Sequence, residues 1–352
     1  MSIETIGWDI GGAHLKAAAL NGAGEIVAVV QEPCPLWLGL DRLHDAMSRI
    51  LDALSPGPDC RHAVTMTGEL VDFFENREQG VFALVQAMIQ RCPPNAVRVF
   101  AGCDGFLDSG AVGPKSVPKI ASANWLASAL WVAENLRDAV FVDIGSTTTD
   151  IALVSGHRVE TRGYTDHERM RYDELIYAGI VRTPAMALAD RAPFGGEWVG
   201  IMAEHFATAA DVYRLCGELP EHGDQMPAAD GGEKTVQGSA RRLARLFGRD
   251  AESAPLKQWR QAARFFRERQ LAKLHSALER QLSRGLIGED APLVGAGVGR
   301  FLVRELAARS GFPYKDFSEL FAMSTSQDDF HASDCAPAAA VACLAMREVG
   351  PT

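Results

Sequence analysis

The sequence predicts a two-lobed α/β protein, and three observations carry that prediction. One strand–turn–strand phrase occurs twice, first at Ile6-Gly7-Trp8-Asp9-Ile10-Gly11-Gly12 and again at Val140-Phe141-Val142-Asp143-Ile144-Gly145. Between the copies, short apolar runs alternate with helix-like stretches, the pattern of a sheet flanked by helices. At 352 residues the chain exceeds what one hydrophobic core ordinarily organises and suits two lobes.

The first phrase continues through His14-Leu15-Lys16-Ala17-Ala18-Ala19-Leu20 into a turn at Asn21-Gly22-Ala23-Gly24, so it reads as a hairpin. Residues 40–54 read as a helix stopped by Ser55-Pro56-Gly57-Pro58, and 63–66 as a short buried strand. A helix over 80–91 stops at Pro93-Pro94, and a strand over 97–100 ends in Ala101-Gly102-Cys103-Asp104-Gly105. A helix over 121–135 leads into the second phrase, which runs through Ser146-Thr147-Thr148-Thr149 and Asp150-Ile151-Ala152-Leu153-Val154 to a turn at Ser155-Gly156-His157. From about 166 to 288 the chain reads as helical and irregular, with a loop over 218–232 and a long helix over 257–284. That helix carries eight Lys or Arg against two Glu, the composition of a solvated amphipathic face rather than a nucleic-acid groove. A strand at 292–299 opens a helix over 300–310, and Asp334-Cys335-Ala336-Pro337 starts a small-residue helix to about 347, with Pro337 suited to its first turn.

Composition removes several function classes. Hydrophobic residues at 47% and charged residues at 23% are those of a folded globular enzyme. A net charge of −10 argues against nucleic acid or an anionic membrane as the main partner. It leaves room for a phosphorylated ligand, because backbone N–H groups can hold phosphate inside an acidic protein. Seven scattered cysteines form no C-x-x-C pair, so a reducing compartment without structural zinc is expected. No apolar run reaches the length of a membrane span, and the chain opens directly into a strand; a cytoplasmic location is expected.

Gripping a phosphate chain takes backbone donors at close range, a divalent cation and carboxylates to hold it. Gly11 and Gly12 permit close backbone approach, and Asp9 at the strand end can face a metal. Gly145 with the hydroxyls of Ser146, Thr147, Thr148 and Thr149 does the same from the other hairpin, with Asp143 as the second carboxylate. Lys16 projects along the first hairpin and can reach a phosphate as a point charge. Gly295-Ala296-Gly297-Val298-Gly299 has the look of a dinucleotide fingerprint, but no βαβ unit follows it. His14 sits inside the first hairpin and is expected to be a neutral imidazole. Asn124 and Trp125 are expected to serve lobe packing.

The Asp9, Asp143 and Gly295–Gly299 segments resemble, in order, the first phosphate, second phosphate and adenosine motifs of the sugar kinase, actin and chaperone superfamily. The resemblance implies the actin-like ATPase fold, built on ribonuclease H-like lobes. The first lobe would comprise 1–120 with 335–352, and the second 121–334, with a largely helical insertion about 166–288. The helices beginning near 121 and 336 would connect the lobes.

A narrower resemblance rests on Gly7-Trp8-Asp9 through Ala17, Pro35-Leu36-Trp37, Met66-Thr67-Gly68-Glu69-Leu70-Val71-Asp72, Lys119 through Trp125, Gly163-Tyr164-Thr165-Asp166 and Arg182-Thr183-Pro184. These are similar to hydantoinase/oxoprolinase-related proteins linked to the tetrahydromethanopterin one-carbon pathway of methylotrophs and methanogens. The archaeal members, the methanofuran ether synthases, join [5-(aminomethyl)furan-3-yl]methyl diphosphate to the phenol of γ-glutamyltyramine and release pyrophosphate. The resemblance implies Mg²⁺ on Asp9 and Asp143, with ATP binding not required. Lys16, Glu69 and Asp104 become candidates for assisting the phenol. Asp166, Arg169 and Arg182 become candidates for holding the glutamyl or amine ends, and Gly295, Gly297 and Gly299 for an adenosine or furan pocket. Small-molecule diphosphate and phenolic partners are expected, and a homo-oligomer is compatible with them. Two alternatives stay open: an ATP-dependent kinase or hydantoinase-like hydrolase, and a non-catalytic nucleotide-gated scaffold.

Overall fold

Side-chain alternation along the first strand sets the architecture. In β1 (Ile3–Ile10), Ile6, Trp8 and Ile10 enter one core, while Gly7 and Asp9 face the opposite side, as the two-residue period of a strand requires. The computed structural model describes residues 2–324 and 330–348. Residues 1, 325–329 and 349–352, which the expected lobe boundaries include, lie outside the described residues.

β2 (His14–Asn21) runs antiparallel to β1, and β3 (Ile26–Pro33) antiparallel to β2. After α1 (Asp41–Leu54), β4 (Arg61–Met66) joins the other edge of β1 in parallel. α2 (Arg77–Arg91), β5 (Val97–Phe100) and β6 (Phe106–Asp108) complete a sheet of order β3-β2-β1-β4-β5-β6. Leu43, Met47 and Ile50 of α1 and Val81, Leu84 and Met88 of α2 cover the Ile6–Trp8–Ile10 face.

α3 (Val117–Ile120) and α4 (Asn124–Asn135) lead to a second sheet that repeats the first. β7 (Ala139–Ile144) pairs antiparallel with β8 (Thr149–Ser155), which also carries β9 (Arg158–Glu160). Then come α5 (Asp166–Arg171), β10 (Leu175–Ile176), the two-stranded hairpin β11 (Arg191–Phe194) and β12 (Glu197–Gly200), α6 (Ala209–Cys216), α7 (Val236–Leu246) and α8 (Leu256–Leu282). β13 (Leu293–Ala296) joins β7 in parallel; α9 (Arg300–Ser310) returns the chain to β14 (Tyr314–Asp316), parallel to β13; and α10 (Ala336–Glu348) closes the described chain. The order β10-β8-β7-β13-β14 reproduces the hairpin-then-parallel connectivity of β2-β1-β4-β5. The duplicated phrase is therefore a duplicated sheet, and the architecture is the two-lobed actin-like fold.

Three local expectations change. The helix expected from 121 starts at Asn124, because Ser122 takes a left-handed turn at φ 53°. The helix expected from 80 starts at Arg77, where the Asn76 side chain accepts from Gln79 N at 2.9 Å and caps it. The 166–288 stretch contains β10 and the β11–β12 hairpin as well as helices. The basic residues of α8 are partly spoken for: Arg267 pairs with Glu218 and Glu305, and Arg280 with Asp173. Among the described residues no helix is long and apolar enough to cross a membrane.

α4 and α10 pack together between the sheets, in one core with Ala18, Leu20, Phe141 and Ala152. The run Ala336-Pro337-Ala338-Ala339-Ala340 keeps α10 slim enough to lie directly on β1. Gly7 completes that contact, since a Cβ there would meet the Ala338 carbonyl oxygen and lie 2.7 Å from Ala342 N. Backbone atoms cannot swing aside, so Gly7→Ala should cost about 1–3 kcal/mol in urea unfolding, the usual range for overpacking. Gly57→Ala, with no atom within 4 Å of the added carbon, should leave the midpoint unchanged.

Candidate active site

The same alternation that buries Ile6 and Trp8 turns Asp9 toward the space between the sheets. Asp9 pairs across the hairpin with Lys16, and Asp143 pairs with Asp150 in the second copy. In three of the strands the residue two positions away enters the interlobe core, Ala18 beyond Lys16, Phe141 before Asp143 and Ala152 beyond Asp150, and in β1 Gly7, two before Asp9, packs against α10. Four ionisable side chains thus share the interlobe face. The loops match as well, Gly11 N donating to His14 O at 3.0 Å and Gly145 N to Thr148 O at 2.9 Å.

Both loops open into one cavity of about 300 Å³. Of the expected phosphate and metal residues, Asp9, Gly11, Gly12, Lys16, Asp143, Gly145, Ser146, Thr147 and Thr148 line it. Thr149 does not: its side chain is buried and its hydroxyl donates to Ala178 O at 2.8 Å, which fixes the turn beneath the loop. Asp166, Arg169 and Arg182, the candidates for holding the substrate ends, also line the cavity.

Two of the three candidates for assisting the phenol sit elsewhere. Asp104 ends the short turn Gly102–Asp104 between β5 and β6, half exposed and paired with Lys119, and does not line the cavity. Glu69 is buried behind the wall, accepting from Ser122 Oγ at 2.8 Å, and it is Ser122 that faces the cavity. The glycine-rich turn after β13 is also behind the wall. Gly295 packs on the Tyr314 ring, and Gly299 on Ile144 and Ile180. Gly297, at φ 78°, leaves no room for a side chain beside the Ile144 carbonyl and Asp143 Oδ1.

Burial dominates the electrostatics. Asp143 is pushed up to about 7 by desolvation, with Lys16 opposing and Asp150, Asp9 and Asp334 adding to the rise. Asp9 rises for the same reason, held back by Lys16 and by Asn124 Nδ2, 3.3 Å from its Oδ1. Lys16 is opposed by its own burial, yet Cys335, Asp9, Asp143 and Asp334 together hold its ammonium above the ordinary value. Its Nζ donates to Asp334 O at 3.1 Å, just ahead of α10. His14 is pushed down to about 3 by burial, Lys16 and Arg182, so the imidazole is neutral as expected, and its Nε2 has no hydrogen-bond partner.

The far end of the cavity is built differently. Burial raises Asp150, countered by Arg169, whose Nη1 donates to its Oδ1 at 2.6 Å. The Arg169 guanidinium lies 3.8 Å over the Trp125 ring and donates to Glu174 O. Asp166 receives Arg77 Nη2 at 2.7 Å across the lobes. Leu70, Val71, Leu175 and Tyr177 add an apolar wall. Asp150, Tyr177 and the contact of Asn124 with Asp9 escaped the sequence reading. A signal for Asp150 existed, since it follows Asp143 at the same interval as Lys16 follows Asp9.

Comparison with known proteins adds a lineage. Residues 61–322 match the family model Hydantoinase/oxoprolinase. A protein of Methanocaldococcus jannaschii, named (4-{4-[2-(gamma-L-glutamylamino)ethyl]phenoxymethyl}furan-2-yl)methanamine synthase, is 31% identical over 255 residues, covering 72% of this chain and 74% of its own. A Methanococcus vannielii protein of the same name is 30% identical over 122 residues, 34% of this chain and 54% of its own. Among solved structures, nucleotide-free acetone carboxylase superimposes with a TM-score of 0.58 at 10% identity, over 88% of this chain and 68% of that one, which speaks for the fold alone. Together with the paired hairpins and their shared cavity, the matches place this chain in the hydantoinase/oxoprolinase family, alongside the archaeal methanamine synthases.

Proposed function

We propose that this chain is a transferase that joins an aminomethylfuran-methyl diphosphate to a phenol, forming an aryl ether and releasing pyrophosphate. The observation that carries the reading is the single cavity into which both glycine turns open, lined by Lys16 together with Asp9 and Asp143. The relationship to the methanamine synthases supplies the substrate class.

The backbone of Gly11, Gly12 and Gly145 and the Ser146, Thr147 and Thr148 segment surround the diphosphate, and Lys16 offsets part of its charge. Asp9 and Asp143 fit a magnesium ion, being two carboxylates on facing hairpins with Asp143 free of any hydrogen-bond donor among the described residues. No three His, Cys, Asp or Glu side chains among the described residues converge on one point, so such an ion would complete its shell from phosphate and water, the habit of magnesium. When bound, it supplies positive charge to the leaving pyrophosphate. The bond from the furanmethyl carbon to the diphosphate oxygen breaks with its electron pair going to pyrophosphate. The phenol oxygen bonds to that carbon, and the phenol proton is released. Leu70, Val71, Leu175 and Tyr177 offer apolar surface to an aromatic acceptor, and Asp150 and Asp166 offer carboxylates to the phenol proton or the aminomethyl ammonium.

Incubation with the furanmethyl diphosphate, a tyramine-type phenol and Mg²⁺, without ATP, should give the ether by mass detection with one pyrophosphate per product. ADP formed only when ATP is added would replace this reading with the ATP-dependent kinase or hydrolase. Asp143→Asn should slow ether formation by about 10²–10³-fold, the usual cost of losing one preorganised charge partner.

The raised Asp143 carboxyl also predicts a pH effect. Its folded value of about 7 exceeds its ordinary 3.8, so the metal-free protein loses stability as pH rises between those values. Above about 7 the free carboxylate welcomes a cation. Added Mg²⁺ should therefore raise Tm more at pH 8 than at pH 6, and Asp143→Asn should abolish the difference.

A further inference from the structure

Each phosphate loop carries a second segment strapped to it. On the first loop, Cys34 N donates to Ala13 O at 2.8 Å and Leu36 N to Gly12 O at 3.0 Å, which fixes the short turn Leu36–Leu38 beside the glycines. On the second, Gly179 N donates to Thr147 O, Ile180 N to Gly145 O, and Val181 N and Arg182 N both to Ser146 O, at 2.8–3.1 Å. The straps meet across the cleft, where the Arg182 guanidinium lies 5.1 Å from the centroid of the Trp37 ring.

Arg182 differs from Arg77 and Arg169, which serve the far end of the cavity. Those two are committed to Asp166 and Asp150. The Arg182 guanidinium lines the cavity with no hydrogen bond or ion pair among the described residues. His14 faces the same cavity from the opposite hairpin, 5% exposed, with Nε2 unpartnered. Lys16 lies two residues along the same strand and Arg182 is strapped to Ser146, and both line the cavity with His14, so three nitrogen donors gather at the glycine-turn end, while Asp150 and Asp166 hold the other. A planar guanidinium resting on an aromatic face is pre-organised for a forked contact with phosphate.

We propose that Arg182, backed by Trp37, clamps the terminal phosphate of the bound diphosphate and ties the two hairpins together over it, with His14 Nε2 as a neutral donor to the same anion. The clamp rests on the diphosphate half of the proposed function and does not depend on ether formation.

Calorimetric titration of the whole protein with pyrophosphate and with orthophosphate, each with Mg²⁺, tests it. Arg182→Met should weaken pyrophosphate at least about 10-fold, in the range of a charge-assisted hydrogen bond. Orthophosphate, which has no second phosphoryl group, should lose much less. Trp37→Leu should show a smaller loss with the same preference. Arg137→Met, which removes an 80% exposed charge elsewhere, should change neither. Arg182→Met should keep the wild-type Tm, because its side chain makes no internal hydrogen bond among the described residues. Equal losses for both anions, equal losses in the Arg137 and Arg182 variants, or an unchanged pyrophosphate affinity would each overturn the clamp. A wild type that ignores pyrophosphate sinks the clamp and the diphosphate reading together. Selective weakening in a protein that forms no ether leaves the clamp standing and removes the transferase reading alone.

Discussion

Three carboxylates, buried Asp9 and half-buried Asp143 and Asp150, crowd together where two sheets meet, and the rest of the cleft is organised around keeping them charged. Desolvation drives each toward its neutral acid, as the value near 7 for Asp143 records. Lys16 answers for Asp9 and Asp143, and Arg169 for Asp150. α10 offers alanines to β1 and Gly7 offers no side chain at all, so the helix sits directly on the strand that delivers Asp9.

The two hairpins are copies in backbone and opposites in charge. Register places Lys16 and Asp150 at equivalent points, one strand over from Asp9 and Asp143. On the first hairpin a cation therefore stands opposite the carboxylate. Near the second the extra carboxylate must be matched by Arg169, which is held in turn by Trp125 and Glu174 O. One lysine-for-aspartate difference within a repeated frame gives one cavity a cationic side and a side with carboxylates and an apolar wall. That polarity is what a reaction between a diphosphate and an aromatic alcohol calls for.

Much of this was legible from the chain because it rests on short-range patterns. The repeated Asp-Ile-Gly turns announce two hairpins, and strand periodicity forces Asp9 and Lys16 onto one face once Ile6, Trp8 and Ile10 are recognised as core. What escaped depends on long-range approach. Glu69 and Asp104 follow strands in similar sequence settings, yet one turns inward behind Ser122 while the other remains with Lys119 on the surface. Nothing local separates them. Asn124 reaches Asp9 only because Ser122 adopts a left-handed turn and delays the helix, a feature that propensity does not favour for serine.

The third glycine motif shows how a recognisable sequence can act without touching the cavity. Gly297 N donates to Ser333 O at 2.6 Å and Gly299 N to Ile144 O at 2.8 Å, which locks the turn after β13 against the strand bearing Asp143. From the same turn Arg300 pairs with Asp316 and Asp334. The Asp334 carbonyl in turn receives Lys16 Nζ. One compact turn therefore bears on both charged partners from behind: Asp143 directly through the space that Gly297 leaves empty, and Lys16 through Asp334. Its glycines are required by the closeness of that brace, whatever occupies the cleft in front of it.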